Sequence, residues 1–253
     1  MSSQLTIDIS NQGVSFVSLT SFAVTQKYSV KFDSIQADAI KNQLNDSFEQ
    51  QSFLGKAYDE ITIAWSTNKS TLVPNNIFAE SKPTDIFKLC FGDPTASYDV
   101  DYNRIAELSI VNIFEIPLWL KSYFVIKFPR VIIQQSGTHL IRKVMDANAF
   151  KLKATATIYN EYFHLTLVKH NNVEFYSFFD AQSAEDVIYH LMFTLQQKEM
   201  MSEKGSIELV PGVGCDDGLL NSIESGLSKI KDLGAFKVII DPDLIPKAQI
   251  LCV

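Results

Sequence analysis

The same order of predicted strands and helices occurs twice along the chain. Three short runs of β-branched and aromatic residues near the start, "LTIDIS", "VSFVSL" and "KYSVKF", have the composition of β-strands. A helical pattern and a fourth strand-like run, "EITIAW", follow them. The same order returns about 147 residues later with "ATATIYN", "FHLTLV", "VEFYSFF", a helix and "SIELV". We therefore predict two copies of a strand-strand-strand-helix-strand core.

Individual residues support this repeat. The offset between matched residues changes only from 149 to 146, so the loops keep nearly the same length. A duplicated domain predicts this behaviour, and the alternative is two halves that share periodicity alone. Asp33 or Ser34 is placed to cap the first helix. The matched pairs are Ile9 with Ile158, Asn11 with Asn160, Phe16 with Leu165, Leu19 with Val168, Asp33 with Asp180, Leu44 with Leu191, and Ile61 with Ile207.

The segment between the copies predicts an inserted small subdomain. It contains a helical run, "TDIFKLCF", strand-like runs near 99–104 and 108–116, and "PLWLKSYF", a helix with Pro117 in its first turn. "RVIIQQ" then predicts a strand, and "THLIRKVMDA" predicts a helix that bridges into the second copy. We expect a first lobe at residues 1–135 that carries the insertion, and a second lobe at 136–253 that begins with the bridging helix.

This order of elements resembles the actin, sugar-kinase and Hsp70 superfamily over nearly the whole chain. More closely, "FYSFFDAQSAEDVIYHLMF", followed by a strand, a glycine turn and "DDGLLNSI", resembles an uncharacterised bacterial family with an actin-like ATPase fold. That family is distantly similar to the actin-like protein of type IV pilus assembly. The resemblance implies an α/β fold with mixed sheets, a duplicated actin-like ATPase (ribonuclease H-like) architecture of two lobes.

The phosphate-binding positions that the superfamily implies are degenerate here. Its first meander holds an Asp-x-Gly turn, and this chain has Asp8 but Ser10 in place of the glycine, with Gly13 three residues on. The second meander should read Asp-x-Gly-x-Gly-Thr, whereas "TIYNEYF" has no carboxylate at the Asp position, no glycine, and a bulky Tyr159. Because phosphoryl transfer depends on positioning and charge neutralisation, we expect no ATP hydrolysis and assign no catalytic residue.

A glycine pair follows the strand "SIELV" and has two interpretations. In nucleotide-binding relatives the corresponding glycines accept the adenosine, and Gly212 and Gly214 match that position. In the other interpretation the glycines form a turn, and Asp216 or Asp217 caps the helix that starts near Leu219. The remnant of a nucleotide site would then consist of Asp8, Gly13, Gly212 and Gly214.

Composition excludes several classes of protein. A net charge of −7 with scattered lysines and arginines argues against a nucleic-acid partner. No apolar run approaches the roughly 20 residues of a membrane span. Three cysteines without a close pair argue against disulfides and zinc and, with no secretory signal at the N-terminus, favour the cytoplasm. The four histidines show no metal-ligand spacing. Paired aspartates such as those of "DVD" and "DPD" would share one face of a strand, but in a segment that contains proline they more often form a turn, so we expect no metal ion there.

Aromatic residues concentrate between the two copies. In "FEIPLWLKSYFVIKF" we expect Leu118, Leu120 and Phe124 to face the core, while Trp119 and Tyr123 share another helix face. These two are either buried between subdomains or form a surface for a protein partner. Our first hypothesis is a catalytically silent actin-like domain, without a cofactor, that binds another protein or forms a homodimer. The competing hypothesis is a nucleotide-binding protein that uses Mg-ATP at an atypical site with weak ATPase activity.

Overall fold

The computed structural model describes residues 2–146, 150–230, 233 and 236–250, and Cys252 lies outside these ranges. The chain divides into two compact units, Met1–Leu140 with Ile245–Val253, and Ile141–Leu244. From the N-terminus to the helix that crosses the first boundary, the elements are β1 (Ser3–Ser10), β2 (Gly13–Thr20), β3 (Ala23–Lys31), α1 (Ala37–Gln50), β4 (Glu60–Trp65), β5 (Ser70–Pro74), α2 (Pro83–Phe91), β6 (Tyr98–Ile105), β7 (Ile110–Pro117), α3 (Leu118–Lys127), β8 (Ile132–Gln135) and α4 (Ser136–Asp146), with 3-10 turns at Ser52–Gly55 and Ala106–Leu108.

The second unit contains the second copy of the core. Its elements are β9 (Leu152–Ile158), β10 (Tyr162–Lys169), β11 (Asn172–Asp180), α5 (Ala184–Gln197), β12 (Gly205–Pro211), α6 (Asp217–Ser228), β13 (Phe236–Ile240) and the start of α7 (Leu244–Gln249). The two large sheets have matching orders, β3-β2-β1-β4-β8 and β11-β10-β9-β12-β13. In both sheets the first three strands are antiparallel and the last three are parallel.

Backbone details confirm the duplication. Ile7 pairs with Phe16 in the first sheet and Ala156 pairs with Leu165 in the second, both at the offset of 149. A bulge interrupts β2 at Ser18/Leu19 and β10 at Leu167/Val168. The following hairpins close at equivalent two-residue turns with positive φ, which is 50° and 68° in one and 50° and 59° in the other. The turn residues are Ser21 and Phe22, and His170 and Asn171.

Each unit buries one face of its sheet against its own helices. In the first unit, Ile7, Phe16 and Leu44 belong to one buried cluster that also includes side chains of β4 and α3. In the second unit, Leu165 and Leu191 belong to the corresponding cluster with β12 and α6. The period-2 strands and period-3.6 helices of the sequence therefore meet as apolar faces, which is the main source of stability.

The two equivalent helices begin differently. The prediction that Asp33 or Ser34 caps α1 is wrong, because the helix starts at Ala37 after Gln36, which makes no side-chain cap. The carboxylate of Asp33 instead accepts a hydrogen bond from the side chain of Gln43. Helix α5 has a complete capping box, in which Ser183 and Asp186 satisfy each other's backbone N–H groups.

The insertion of the first unit is a three-stranded antiparallel sheet in the order β5-β7-β6, on which α2 packs through the buried Phe87. A buried polar network ties it to β8 and to the start of α4. Ser70 donates to the side-chain oxygen of Asn112, and the Asn112 amide donates to Gln135 and Thr138. Since these polar groups are paired with one another, their burial carries little penalty.

Helix α3 packs through fewer residues than the sequence predicts. Leu120 and Phe124 are fully buried, as expected, but Leu118 is 54% exposed, so its predicted core position is wrong. Leu118 is the first residue of the helix and lies before the residues that pack on the core.

Among the described residues, none of the helices combines the length and hydrophobicity needed to cross a lipid bilayer.

Candidate functional site

Asp8 lies near the end of β1 on the face of the sheet opposite the apolar core. It is 5% exposed, and Ser66 donates a hydrogen bond of 3.2 Å to its carboxyl oxygen. Burial raises the pKa of Asp8 to about 7, while the hydrogen bond from Ser66 and the charge of Lys27 act in the opposite direction. A carboxylate that positions a hydrated magnesium ion must be ionised, and this one holds its proton up to neutral pH.

Gly13 is the first residue of β2 and pairs with Ser10 across a two-residue turn. The turn is therefore a tight hairpin between the first two strands. Within it, the hydroxyl of Ser10 accepts a hydrogen bond from the backbone N–H of Gln12. The N–H of Gln12 is thus already paired inside the turn.

The second unit has Thr157 in the position of Asp8. Asp8 pairs with Ser15 and Ala64, and Thr157 pairs with the equivalent His164 and Val210. Thr157 is 1% exposed, and its hydroxyl has no hydrogen-bond partner in the described part of the chain. This position offers neither a charge nor a metal ligand of the carboxylate type.

The ring of Tyr159 fills the space in front of Gly212. A methyl group added at Gly212 would lie 2.3 Å from a ring carbon of Tyr159, so no side chain fits there. Tyr159 is 2% exposed, and its ring stacks on Tyr162 at a centroid distance of 4.5 Å. The glycine is therefore required by a tyrosine of the same chain.

The side chain of Asn160 closes the turn that contains Gly212 and Gly214. Its side-chain amide donates to the carbonyl of Gly214 at 2.9 Å, and its side-chain oxygen accepts from the backbone N–H of Asp216 at 3.1 Å. Gly214 has a φ of 85°, which favours glycine. Asp216 caps α6 by accepting from the N–H of Gly218 at 2.8 Å, as the turn interpretation predicts.

One backbone hydrogen bond shows which residue of the first unit is equivalent to Gly212. The N–H of Ser66 donates to the carbonyl of Ile9, and the N–H of Gly212 donates to the carbonyl of Ile158, both at 2.8 Å. Ser66 and Gly212 thus occupy the same backbone position. The pair that touches in the first unit, Asp8 and Ser66, corresponds to Thr157 and Gly212 in the second.

Other candidate chemistry resolves into structural contacts. No group of three His, Cys, Asp or Glu side chains suited to a metal ion occurs among the residues the structure describes. Asp99 and Asp101 both form ion pairs with Lys121, at 3.3 and 2.8 Å. Asp243 donates its N–H to Asp241 in a turn. Burial lowers the pKa of His164 to about 3, so its imidazole is neutral.

Trp119 and Tyr123 lie together on α3, with ring centroids 6.5 Å apart. Both are half-buried against the core of the first unit, and the hydroxyl of Tyr123 donates to Asn45 at 2.8 Å. Burial raises the pKa of Tyr123 to about 12. Their predicted role in protein interaction stays a prediction.

Sequence reasoning located both turns but missed the contact that explains the second one. Tyr159 is conspicuous in the sequence as a large residue at a phosphate-loop position, whereas its packing against Gly212, 53 residues away, is not. The repeat itself contains the signal. Since Ile9 matches Ile158 and Ile61 matches Ile207, the strands that pair in one copy are expected to pair in the other, and in both copies they form a parallel pair.

Two mixed sheets with the same strand order, each followed by packed helices, define the class of proteins with an actin-like ATPase fold. The chain belongs to the family described as "Protein of unknown function (DUF3822)", whose model matches residues 1–228. The comparison with curated proteins gave no match.

Solved structures share the fold at low sequence identity. A protein from Bacteroides thetaiotaomicron with an actin-like ATPase fold and unknown function is 19% identical, with a TM-score of 0.80, covering 99% of this chain and 96% of that one. The PilM-PilN type IV pilus biogenesis complex is 11% identical, with a TM-score of 0.52 and coverages of 98% and 94%. Component A of (R)-2-hydroxyglutaryl-CoA dehydratase from Acidaminococcus fermentans is 7% identical, with a TM-score of 0.50 and coverages of 98% and 95%. At these identities the likeness shows the fold alone.

Proposed function

We propose that this chain is a catalytically degenerate actin-like domain that acts in the cytoplasm as a protein-interaction or scaffold module. The observation that carries the proposal is the closed turn at Gly212 and Gly214, in which the Tyr159 ring occupies the space in front of Gly212. Thr157, which replaces the expected carboxylate, removes the second charge that would orient a metal ion. A site that lacks both the phosphate cradle and this charge retains little of the machinery for phosphoryl transfer.

Two further observations support a role in protein binding. One neighbour in fold is described as the PilM-PilN complex, so this architecture occurs in a protein assembly. Several large apolar side chains of the first unit are exposed, and such residues supply contact area for partners. They include Leu89 at 86%, Ile126 at 82% and Phe22 at 75% exposure.

The competing function is nucleotide binding through Asp8 and the turn from Gly212 to Gly214. The buried carboxyl of Asp8 favours it, because burying such a group costs stability and carboxyls with strongly raised pKa values are concentrated at functional sites. This function needs Asp8 ionised and the ring of Tyr159 displaced.

Thermal unfolding with and without millimolar Mg-ATP separates the two functions. A ligand at about 100 times its dissociation constant stabilises the folded state by roughly 2.7 kcal/mol, which is a shift of several degrees. We expect no shift for the wild-type chain or for Asp8→Asn, which keeps the shape of the side chain. A shift of several degrees in the wild type that disappears in Asp8→Asn would overturn the proposal in favour of the nucleotide-binding function.

A further inference from the structure

The two large sheets each end in a nine-residue edge strand, β3 in the first unit and β11 in the second. An edge strand presents backbone donors and acceptors that can pair with another strand. The residues of β3 are mostly exposed, whereas seven residues of β11 are half-buried. The two edges therefore differ in how much apolar surface lies beside their backbone groups.

Strand β11 lacks the usual protection of an edge. Its sequence, "NVEFYSFFD", contains four aromatic residues and no lysine, arginine or proline. Natural sheets generally protect such edges with lysine, proline or a covering segment. Tyr176 and Phe178 lie on one face, where both rings contact His164, and Phe175 and Phe179 lie on the other face with the core.

The charges of the two edges are complementary. Glu174 and Asp180 are the charged residues of β11, while Lys27 and Lys31 are the charged residues of β3. Glu174, Asp180 and Lys31 form no ion pair within the part of the chain that the structure describes. Opposite charges across a strand pair stabilise it and like charges destabilise it, each by about 0.2–1 kcal/mol.

We propose that β11 of one copy of this chain pairs antiparallel with β3 of a second copy. With Glu174 opposite Lys31, Tyr176 lies opposite Ser29 and Phe178 opposite Lys27. On the other face, Phe175 lies opposite Val30, which belongs to the apolar core of its own unit. Since opposite residues of an antiparallel pair point to the same face, this register joins core face to core face.

The same charges disfavour the two self-pairings. If two β3 edges paired, Lys27 and Lys31 of one copy would lie near the lysines of the other. If two β11 edges paired, Glu174 and Asp180 of one copy would lie near the acidic residues of the other. The contact therefore joins unlike edges, so it is heterologous, and each chain keeps one edge open for a further copy. This inference goes beyond the proposed function, because a domain that binds no nucleotide need not self-associate.

Sedimentation velocity with charge-reversed variants tests the pairing. At roughly 100 μM protein and low salt, we expect the wild-type chain to exceed its monomer mass of 28.5 kDa. Lys31→Glu alone and Glu174→Lys alone should each weaken association about fivefold. The double variant, with the pair reversed, should associate as the wild type does. So should an equimolar mixture of the two single variants, because unlike copies then meet with opposite charges whichever of them contributes β11.

A matched control has the same change of charge away from both edges. Glu49→Lys alters an exposed residue on α1 and should leave association unchanged. Circular dichroism of each variant confirms that these surface substitutions leave the fold intact. Monomeric wild type under all conditions, equal weakening by Glu49→Lys, or failure of the double variant to recover would each overturn the proposal. Because no nucleotide is present, the outcome is independent of the Mg-ATP experiment.

Discussion

The ends of the parallel strands β1 and β4 in the first unit, and of β9 and β12 in the second, share a backbone arrangement but differ in chemistry. In both, the residue after the neighbouring parallel strand donates its N–H to an isoleucine carbonyl at 2.8 Å. In the first unit this residue is Ser66, whose hydroxyl also donates a hydrogen bond to the buried carboxyl of Asp8. In the second unit it is Gly212, against which the Tyr159 ring packs, and Thr157 replaces the aspartate.

The two units therefore keep the same backbone arrangement while the side chains that contact each other differ as a pair. The buried carboxyl of Asp8 is stabilised by the hydrogen bond that the Ser66 hydroxyl donates. The ring of Tyr159 fits only because residue 212 has no side chain. Each unit is consistent within itself, so moving one residue between them should cost stability. The following substitutions test this comparison.

The largest effect is expected when the second unit receives the carboxyl of the first. Thr157→Asp buries a charge where Gly212 offers no hydroxyl, so we expect a loss of about 5 kcal/mol at pH 8. The loss should shrink at pH 4, because the new carboxyl can then remain protonated. Urea unfolding at both pH values measures it, and Thr157→Asn is the uncharged control. A loss that is equal at the two pH values would show that charge is not the cause.

The second effect concerns the carboxyl of the first unit. The pKa of Asp8 rises from 3.8 to about 7 on folding, so between these values the folded state holds a proton that the unfolded state has released. The stability contributed by Asp8 is therefore fully present below about pH 4 and falls as the pH rises to 7. Asp8→Asn should be more stable than the wild type by roughly 4 kcal/mol at pH 8 and nearly equal to it at pH 4.

A constant difference between Asp8→Asn and the wild type across that range would contradict the raised pKa. Ser66→Ala gives a second check, because it removes the donor that keeps the carboxyl partly ionised. We expect Ser66→Ala to destabilise the protein more at pH 8 than at pH 4.

A smaller effect on stability distinguishes Gly214 from Gly212, because the two are required for different reasons. Gly214 is required by its φ of 85°, independent of any neighbouring ring. Gly214→Ala should therefore cost about 1–2 kcal/mol by backbone strain. The same cost is expected whether residue 159 is tyrosine or serine, and a cost that depends on residue 159 would be inconsistent with this assignment.

The smallest effect is a gain in stability. The hydroxyl of Thr157 is buried without a partner, so Thr157→Val should stabilise the protein by about 1 kcal/mol. Thermal unfolding measures the change, and Thr6→Val in the first unit is the matched comparison. There the hydroxyl donates to the carbonyl of Val17, and its removal should destabilise instead. A loss of stability in Thr157→Val would mean that this hydroxyl has a partner after all.

The sequence predicts the fold better than the turns. Apolar periodicity and matched residue pairs indicate the order of elements, because burial of one face dictates them locally. Several features lack such a signal. The positive-φ turns use Ser-Phe and His-Asn in place of the usual Asn-Gly, and α1 starts without a capping side chain. The exchange of Asp8 and Ser66 for Thr157 and Gly212 depends on contacts between distant segments, which periodicity does not show.

A double-mutant cycle on Gly212 and Tyr159 measures whether the ring of Tyr159 is the reason that residue 212 must be glycine. Gly212→Ala should cost about 3 kcal/mol in the wild-type chain, where the added methyl group meets the ring at 2.3 Å. Ser10 of the first unit corresponds to Tyr159 at the offset of 149. In Tyr159→Ser, which places that residue here, the same substitution should cost less than about 1 kcal/mol. An equal cost in both backgrounds would contradict the account and return Gly212 to the role of a ligand-binding residue.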